Sequence, residues 1–144
     1  MRKPGLALAI LFTASTALAH TGVKDKNVLA WMDGMQGISD EVKILTRMAR
    51  GQIPHDTAAA KAAIATMQDE ARRIPDLFEK KANDPKSEAR PRIWKDWENF
   101  VGHAEDLDVA LMNADTSSPS AIGLSMREIG KPCRACHKAF RAEK

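Results

Sequence analysis

The chain has 144 residues, of which 22 are Lys or Arg and 19 are Asp or Glu, so its formal charge at neutral pH is +3. Only 5% of its residues are aromatic, and no basic stretch carries interleaved aromatic residues, which argues against a nucleic-acid partner. Its two cysteines, Cys133 and Cys136, are too close in sequence for a disulfide between them to stabilise the fold appreciably.

The first 19 residues have the layout of a secretory signal peptide. Arg2 and Lys3 are followed by an apolar run of 13 residues, 6–18, which ends in small residues typical of a cleavage site. This run is shorter than the roughly 20 residues that span a bilayer as a helix. We therefore expect a signal peptide at residues 1–19 and one exported domain at residues 20–144, with no membrane span in the mature chain. Without Arg2 and Lys3, the exported domain has 20 basic against 19 acidic residues, a formal charge of +1.

The first predicted helix runs from about Val23 to Arg50. Its apolar residues recur three or four positions apart, as on one face of an amphipathic helix, and comprise Val28, Met32, Met35, Ile38, Val42, Leu45 and Met48. Gly51 follows as the expected C′ residue. Asp56 is the expected N-cap of a second helix, residues 57 to about 80, in which Pro75 should cause a kink or a restart.

The third predicted helix begins around Pro91, after a polar loop at residues 81–88, and repeats apolar residues as far as Leu111. Ser118 and Pro119 then have the residue types of an N-cap and a first helical position, and they open the fourth helix. No segment shows the alternation of apolar and polar residues that indicates a strand. The sequence therefore predicts an all-α fold, an antiparallel four-helix bundle.

Residues 133–137 read Cys-Arg-Ala-Cys-His, a C-x-x-C-H motif, which is the attachment sequence of c-type haem. On a helix, two thiols three positions apart lie on one face, so each can form a thioether with a porphyrin vinyl group. His137 can then bind the iron as the proximal ligand. A redox-active C-x-x-C would need a βαβ setting, and a zinc site would need a fourth ligand. We therefore expect one covalently bound haem c near the C-terminus, held by Cys133 and Cys136.

With this motif at the end of four predicted helices, the sequence resembles the class II cytochromes c, that is, the cytochrome c′ family with its low-spin members, cytochromes c-556 and c-554. Residues 47–54 are similar to the end of the family's first helix, residues 89–94 to the start of its third, and residues 133–141 to its haem-binding end. The resemblance implies a periplasmic electron-transfer protein. We do not expect an enzyme, because no paired acid and base or activated nucleophile is apparent.

The resemblance also implies where the distal ligand lies, on the first helix four to five turns before the Gly that ends it. Counting back from Gly51 gives Met35. Low-spin members have a Met ligand at this point, and a neutral thioether raises the reduction potential. Met32, one turn earlier, is the second choice, and Arg141 is a candidate contact for a haem propionate. Methionines in such a stripe are more often core residues than ligands. The alternative function is therefore a five-coordinate cytochrome c′ that binds nitric oxide or carbon monoxide.

Trp31 stands one turn before Met35, where many family members have a polar or basic residue near the propionates. The remaining histidines, His20, His55 and His103, are expected to be surface or packing residues, with His55 exposed in its turn. The expected partners are unidentified periplasmic redox proteins. The family includes monomers and dimers built on helices one and two, so the resemblance implies either a monomer or such a homodimer.

Overall fold

The computed structural model describes residues 22–143, so the expected signal peptide and His20 lie outside it. Its helices are α1 (Lys26–Ala49), α2 (Thr57–Phe78), α3 (Arg92–Lys95), α4 (Trp97–Met112) and α5 (Pro119–Phe140). The four long helices form a ring in which α1 and α4 each pack against both α2 and α5. The predicted all-α four-helix bundle is confirmed. Within residues 22–143, no helix is both long and apolar enough to cross a membrane.

Polar side chains and one glycine fix the ends of the long helices, much as the sequence indicates. Asp25 caps α1 by accepting from the N–H groups two and three positions later, which is why this helix starts three residues after the predicted Val23. Asp56 and Ser118 cap α2 and α5 as predicted. Gly51 has φ +67°, and the N–H groups of residues 51 and 52 bond the carbonyls of residues 48 and 47, which closes α1 with a Schellman motif.

The third predicted helix is two helices, because the chain leaves helical geometry at Asp96 (φ −132°, ψ 51°). The Asp96 carboxylate accepts from the side chains of Arg92 and Asn99, and Asp is a residue that competes in this way with helical backbone bonds. The expected restart at Pro75 is wrong, because α2 continues through this residue and ends only at Phe78. Pro75 removes a single backbone donor near that end.

Aromatic rings fill the end of the bundle where α1 begins and α5 ends. Trp31 stacks on Phe78 with ring centroids 4.7 Å apart, Phe78 contacts Phe100 at 5.2 Å, and Phe100 meets Phe140 edge-on at 5.3 Å. These four rings are 3–7% exposed. Burial of rings from α1, α2, α4 and α5 in one cluster fixes the four helices against each other at this end.

Two indole groups satisfy the C-terminal carbonyls of α2, which have no partner within the helix. The Nε1–H group of Trp31 donates to the carbonyl of Leu77, and that of Trp94 donates to the carbonyl of Phe78 at 2.8 Å. Helix C-termini are more often closed by a glycine, and α2 has none at this position. The tryptophans therefore serve both as packing residues and as the cap of α2.

Asp84 ties the loop after α2 to the start of α1. Its carboxylate accepts from the backbone N–H groups of Lys24 (2.8 Å), Asp25 (3.2 Å) and Lys86 (2.9 Å), and the residue is 5% exposed. These bonds, that from Lys24 first, hold the pKa of Asp84 below its usual value. The carboxylate is therefore a structural ion that anchors the loop.

Candidate functional site

The C-x-x-C-H motif lies on the last turns of α5, with its cysteines toward the bundle interior. Cys133 and Cys136 continue the inward stripe of Ile129 and Phe140, and both are free, half-buried thiols packed against the core. His137 is more exposed and lies beside the polar segment that follows α5. The predicted arrangement, two thiols on one helix face with an adjacent imidazole, is thus present.

The surroundings keep the thiols protonated and the imidazole neutral. Burial raises the pKa of Cys133, and burial raises the pKa of Cys136 to about 11. Loss of water around the ring lowers the pKa of His137, and the nearby Arg141 charge acts in the same direction. A neutral imidazole has a free lone pair on one nitrogen, and it is this neutral form that binds iron.

A short pairing between two distant segments holds the end of α5 beside His137. Arg90 N–H donates to the carbonyl of Phe140 at 2.8 Å, and Ala142 N–H donates to the carbonyl of Glu88 at 2.7 Å. Across the same pairing, the Nε and Nη2 atoms of Arg141 each lie 2.6 Å from Glu88 Oε2. The loop before α3 therefore clamps the chain just after the motif.

Glu88 is a residue of the site that the sequence analysis missed. It lies 53 residues from Arg141, and no local pattern connects the two positions. A pocket of about 570 Å³ beside His137 is lined by both of these residues and by Lys138. Arg141 is thus engaged with a carboxylate of the protein itself, and its expected contact with a propionate stays a prediction.

The register between α1 and α5 relates the two ends of the site. A Cβ atom built on Gly123 of α5 would lie 3.9 Å from the Cβ of Ala49 on α1, so these residues are level with one another. Met35 lies fourteen residues before Ala49, and His137 lies fourteen residues after Gly123. Because the two helices run antiparallel, both counts advance about 21 Å toward the same end of the bundle. Met35 is therefore at the level of His137, whereas Met32 is level with Phe140.

The three methionines of the α1 stripe differ in burial. Met48 is 4% exposed and belongs to the core. Met32 and Met35 are half-buried and pack against the core from its edge. Trp31, one turn before Met35, is 3% exposed and bonded to α2, so it is a packing residue in this structure. Met35, the expected ligand, and Met32, the second choice, are thus both partly exposed at the edge of the core.

The other two described histidines, His55 and His103, both contact residues of the protein. His55 is half-buried, not exposed as expected, because its Nε2 atom lies 2.9 Å from the carbonyl of Thr116. His103 is also half-buried and packs edge-on to Phe140 at 5.9 Å. Within residues 22–143, no three His, Cys, Asp or Glu side chains are grouped as a metal site.

The residues present fit a covalently held haem. Two half-buried free thiols lie three residues apart on one helix, where each could form a thioether with a porphyrin vinyl group. A neutral imidazole follows them directly, and buried aromatic and aliphatic side chains line the end of the bundle. Such a constellation can hold a porphyrin by two covalent bonds and offer its iron one nitrogen ligand.

Comparison with known proteins identifies relatives that are cytochromes of the class the sequence resembles. A family model described as cytochrome C′ matches residues 27–141. Cytochrome c-556 of Agrobacterium fabrum is 31% identical over 114 residues, which cover 76% of this chain and 77% of that protein. A structural model, validated by NMR, of oxidized cytochrome c556 from Rhodopseudomonas palustris has a TM-score of 0.74 and 26% identity, over 84% of this chain and 99% of that one.

A solved structure of cytochrome c′ from Alcaligenes xylosoxidans, a ferrous variant with bound NO, has a TM-score of 0.72 and 20% identity, over 82% of this chain and 94% of that one. At this identity the similarity concerns the fold. The family match, which spans most of the chain, together with the motif and the bundle, assigns covalently bound haem c and a role in electron transfer or gas binding. The chain belongs to the cytochrome c′ family.

Proposed function

We propose that this protein is an electron-transfer cytochrome of the bacterial periplasm, in which His137 and Met35 would both bind the iron of a low-spin haem. The register of α1 and α5 is the observation that supports this proposal, since Met35 and His137 are each fourteen residues from the level of Ala49 and Gly123 toward the same end of the bundle. The similarity to cytochromes c-556 supports the same branch of the family.

The proposed residues have separate tasks. Haem supplies a metal centre that gains and loses one electron. His137 offers a neutral nitrogen, and Met35 offers a neutral thioether, which favours the ferrous state and raises the reduction potential. The buried aromatic cluster and the clamp at Arg141 hold the two ligand-bearing helices in place. With both ligands fixed by a packed bundle, electron transfer requires little rearrangement of the protein.

The sequence of the first 19 residues supports the periplasmic assignment. Residues 1–19, which lie outside the described residues, have a signal-peptide layout, and covalent haem is attached outside the bacterial cytoplasm. The domain at residues 20–144 and the homodimer through α1 and α2 stay predictions, which N-terminal sequencing of the exported protein and sedimentation analysis would test.

The second candidate is a five-coordinate cytochrome c′ that binds nitric oxide at the distal face. The similarity in fold to the NO-bound cytochrome c′ of Alcaligenes xylosoxidans favours it. The two candidates differ in the second iron ligand that this chain would supply: the thioether of Met35 in one, and none in the other.

Two matched variants of the haem-loaded protein separate these candidates. We expect Met35→Leu to lower the reduction potential and to let carbon monoxide bind the ferrous protein readily. Met32→Leu, a neighbouring substitution of the same type, should change neither property. Ready carbon monoxide binding by the wild-type protein, or loss of ligation in Met32→Leu alone, would overturn the assignment of Met35.

A further inference from the structure

The haem-bearing helix, α5, is the most basic of the four long helices. α5 carries Arg127, Lys131, Arg134 and Lys138 against a single acid, Glu128, and so has a formal charge of +3. α1 and α2 each have three basic and three acidic residues and are neutral. α4 has four acidic residues and no Lys or Arg, which gives it a charge of −4. The near-neutral total therefore conceals a strong separation of charge.

The four cations form one exposed row, which we call the α5 basic stripe (Arg127, Lys131, Arg134 and Lys138). They are spaced four, three and four residues apart, so they share one face of the helix. All four are exposed, while the cysteines face inward. Lys131 pairs with Glu128, whereas the other three form no ion pair within residues 22–143.

The α5 basic stripe runs along the outer face of the helix that carries the haem attachment motif, opposite the inward-facing cysteines. Arg134 stands between the two cysteines, and Lys138 follows His137. The Arg127 end of the stripe adjoins a groove between α4 and α5 of about 440 Å³. Its lining includes the exposed Val109 (56%) and Leu124 (53%), the cations Arg127 and Lys131, and the acids Asp106 and Glu128. The same face thus offers a charged region and a small apolar contact, the usual composition of a transient interface.

We propose that the α5 basic stripe is the docking surface for an acidic redox protein, one that presents carboxylates around its own redox centre. This inference rests on the proposed electron-transfer function. Opposite charges steer the encounter of two proteins and orient it, so a partner of this kind would approach over the haem-bearing end of α5. The acidic α4 repels the same partner and sets the edge of the docking surface.

Small redox ions of known charge test the local potential of this face. With the ferrous haem-loaded protein, ferricyanide accepts one electron, becoming ferrocyanide, and the iron becomes ferric. The double variant Arg127→Gln/Lys138→Gln leaves the C-x-x-C-H residues intact. We expect it to slow this reaction at low salt by about an order of magnitude and to leave the rate at high salt unchanged. Oxidation by the cation tris(phenanthroline)cobalt(III) should accelerate.

The matched control is Arg50→Gln/Lys61→Gln, which removes two exposed charges at the opposite end of the bundle. It lowers the net charge equally and should change the low-salt rate less than twofold. Equal effects of the two double variants would overturn the proposal, because total charge would then account for the rates.

Titration of the nitrogen-15-labelled protein with polyglutamate gives a readout apart from electron transfer. We expect amide shifts in residues 127–138 that vanish with salt. Amide shifts centred on α1 and α2 would contradict the proposal. If the wild-type protein forms a salt-sensitive dimer that the α5 double variant does not form, this face would instead bind a second copy of the chain. A high-spin haem would refute the proposed ligation yet still react with ferricyanide, so failure of the two proposals can be distinguished.

Discussion

Replacement of Trp31 by Phe isolates the cap that this side chain provides to α2. Phe can keep the stacking on Phe78, but it cannot donate to the Leu77 carbonyl. A buried acceptor left without a donor costs about 1–3 kcal/mol, and the smaller ring leaves an incompletely filled site that adds roughly 1 kcal/mol. We therefore expect Trp31→Phe to lower the free energy of unfolding by about 2–4 kcal/mol.

Trp94→Phe is the matched control. Trp94 makes the same kind of bond to the carbonyl of Phe78, but its side chain is half-buried, so water can replace the lost donor. We expect this variant to cost about 1 kcal/mol or less. Urea unfolding of the haem-loaded proteins measures both values, with unchanged m-values as the check that two-state behaviour is preserved. A loss below 1 kcal/mol for Trp31→Phe, or equal losses for both variants, would refute the capping role.

Three further substitutions test other parts of the fold. Asp84→Asn should lower the free energy of unfolding at pH 7, and its difference from wild type should shrink as pH falls below about 4. The reason is that a carboxylate whose folded pKa is depressed contributes stability only while it is ionised. A difference in free energy that does not depend on pH in urea titrations would contradict this. Gly102→Ala should raise the free energy of unfolding by about 0.5–1 kcal/mol through helix propensity, since open space surrounds it. Gly34→Ala should raise the free energy of unfolding less than Gly102→Ala does, because its Cβ would lie 2.9 Å from Leu77 Cδ1. An equal increase in the two variants would show that the Leu77 side chain moves aside without cost.

Local patterns were enough to predict the helices and most of their ends. The three- and four-residue spacing of apolar residues in α1 specifies its buried face, and Gly51, Asp56 and Ser118 are residue types with a clear role at helix ends. The break at Asp96 was missed because the apolar stripe continues across it, and the side-chain bonds that favour the break involve residues on both sides.

The chemistry-bearing residues of the site were predictable, but their surroundings were not. Cys133, Cys136 and His137 form a contiguous motif whose spacing carries its chemistry. Glu88, in contrast, meets Arg141 only because two segments 53 residues apart pair in the folded chain. The bond between His55 and Thr116 likewise joins two loops 61 residues apart, which explains why an exposed histidine was expected there. Contacts of this kind leave no periodic signal in the sequence.

The choice between Met35 and Met32 shows how the fold adds to the sequence. Both methionines belong to the same stripe, and in the sequence only the family resemblance, through the distance from Gly51, favours Met35. A Cβ atom built on Gly123 would lie 3.9 Å from the Cβ of Ala49, and the register of α1 against α5 that this indicates also favours Met35. The two methionines lie three positions apart on α1, so identification of the iron ligand tests this register directly.

The near-infrared absorption spectrum of the ferric wild-type protein, produced in a host that exports the chain and attaches haem to it, shows whether a methionine binds the iron. We expect a low-spin spectrum with the sulfur-to-iron charge-transfer band, which should disappear in Met35→Leu and persist in Met32→Leu. A high-spin ferric spectrum without this band, which shifts when nitric oxide is added, would exclude Met35 as a ligand and assign the protein to gas binding.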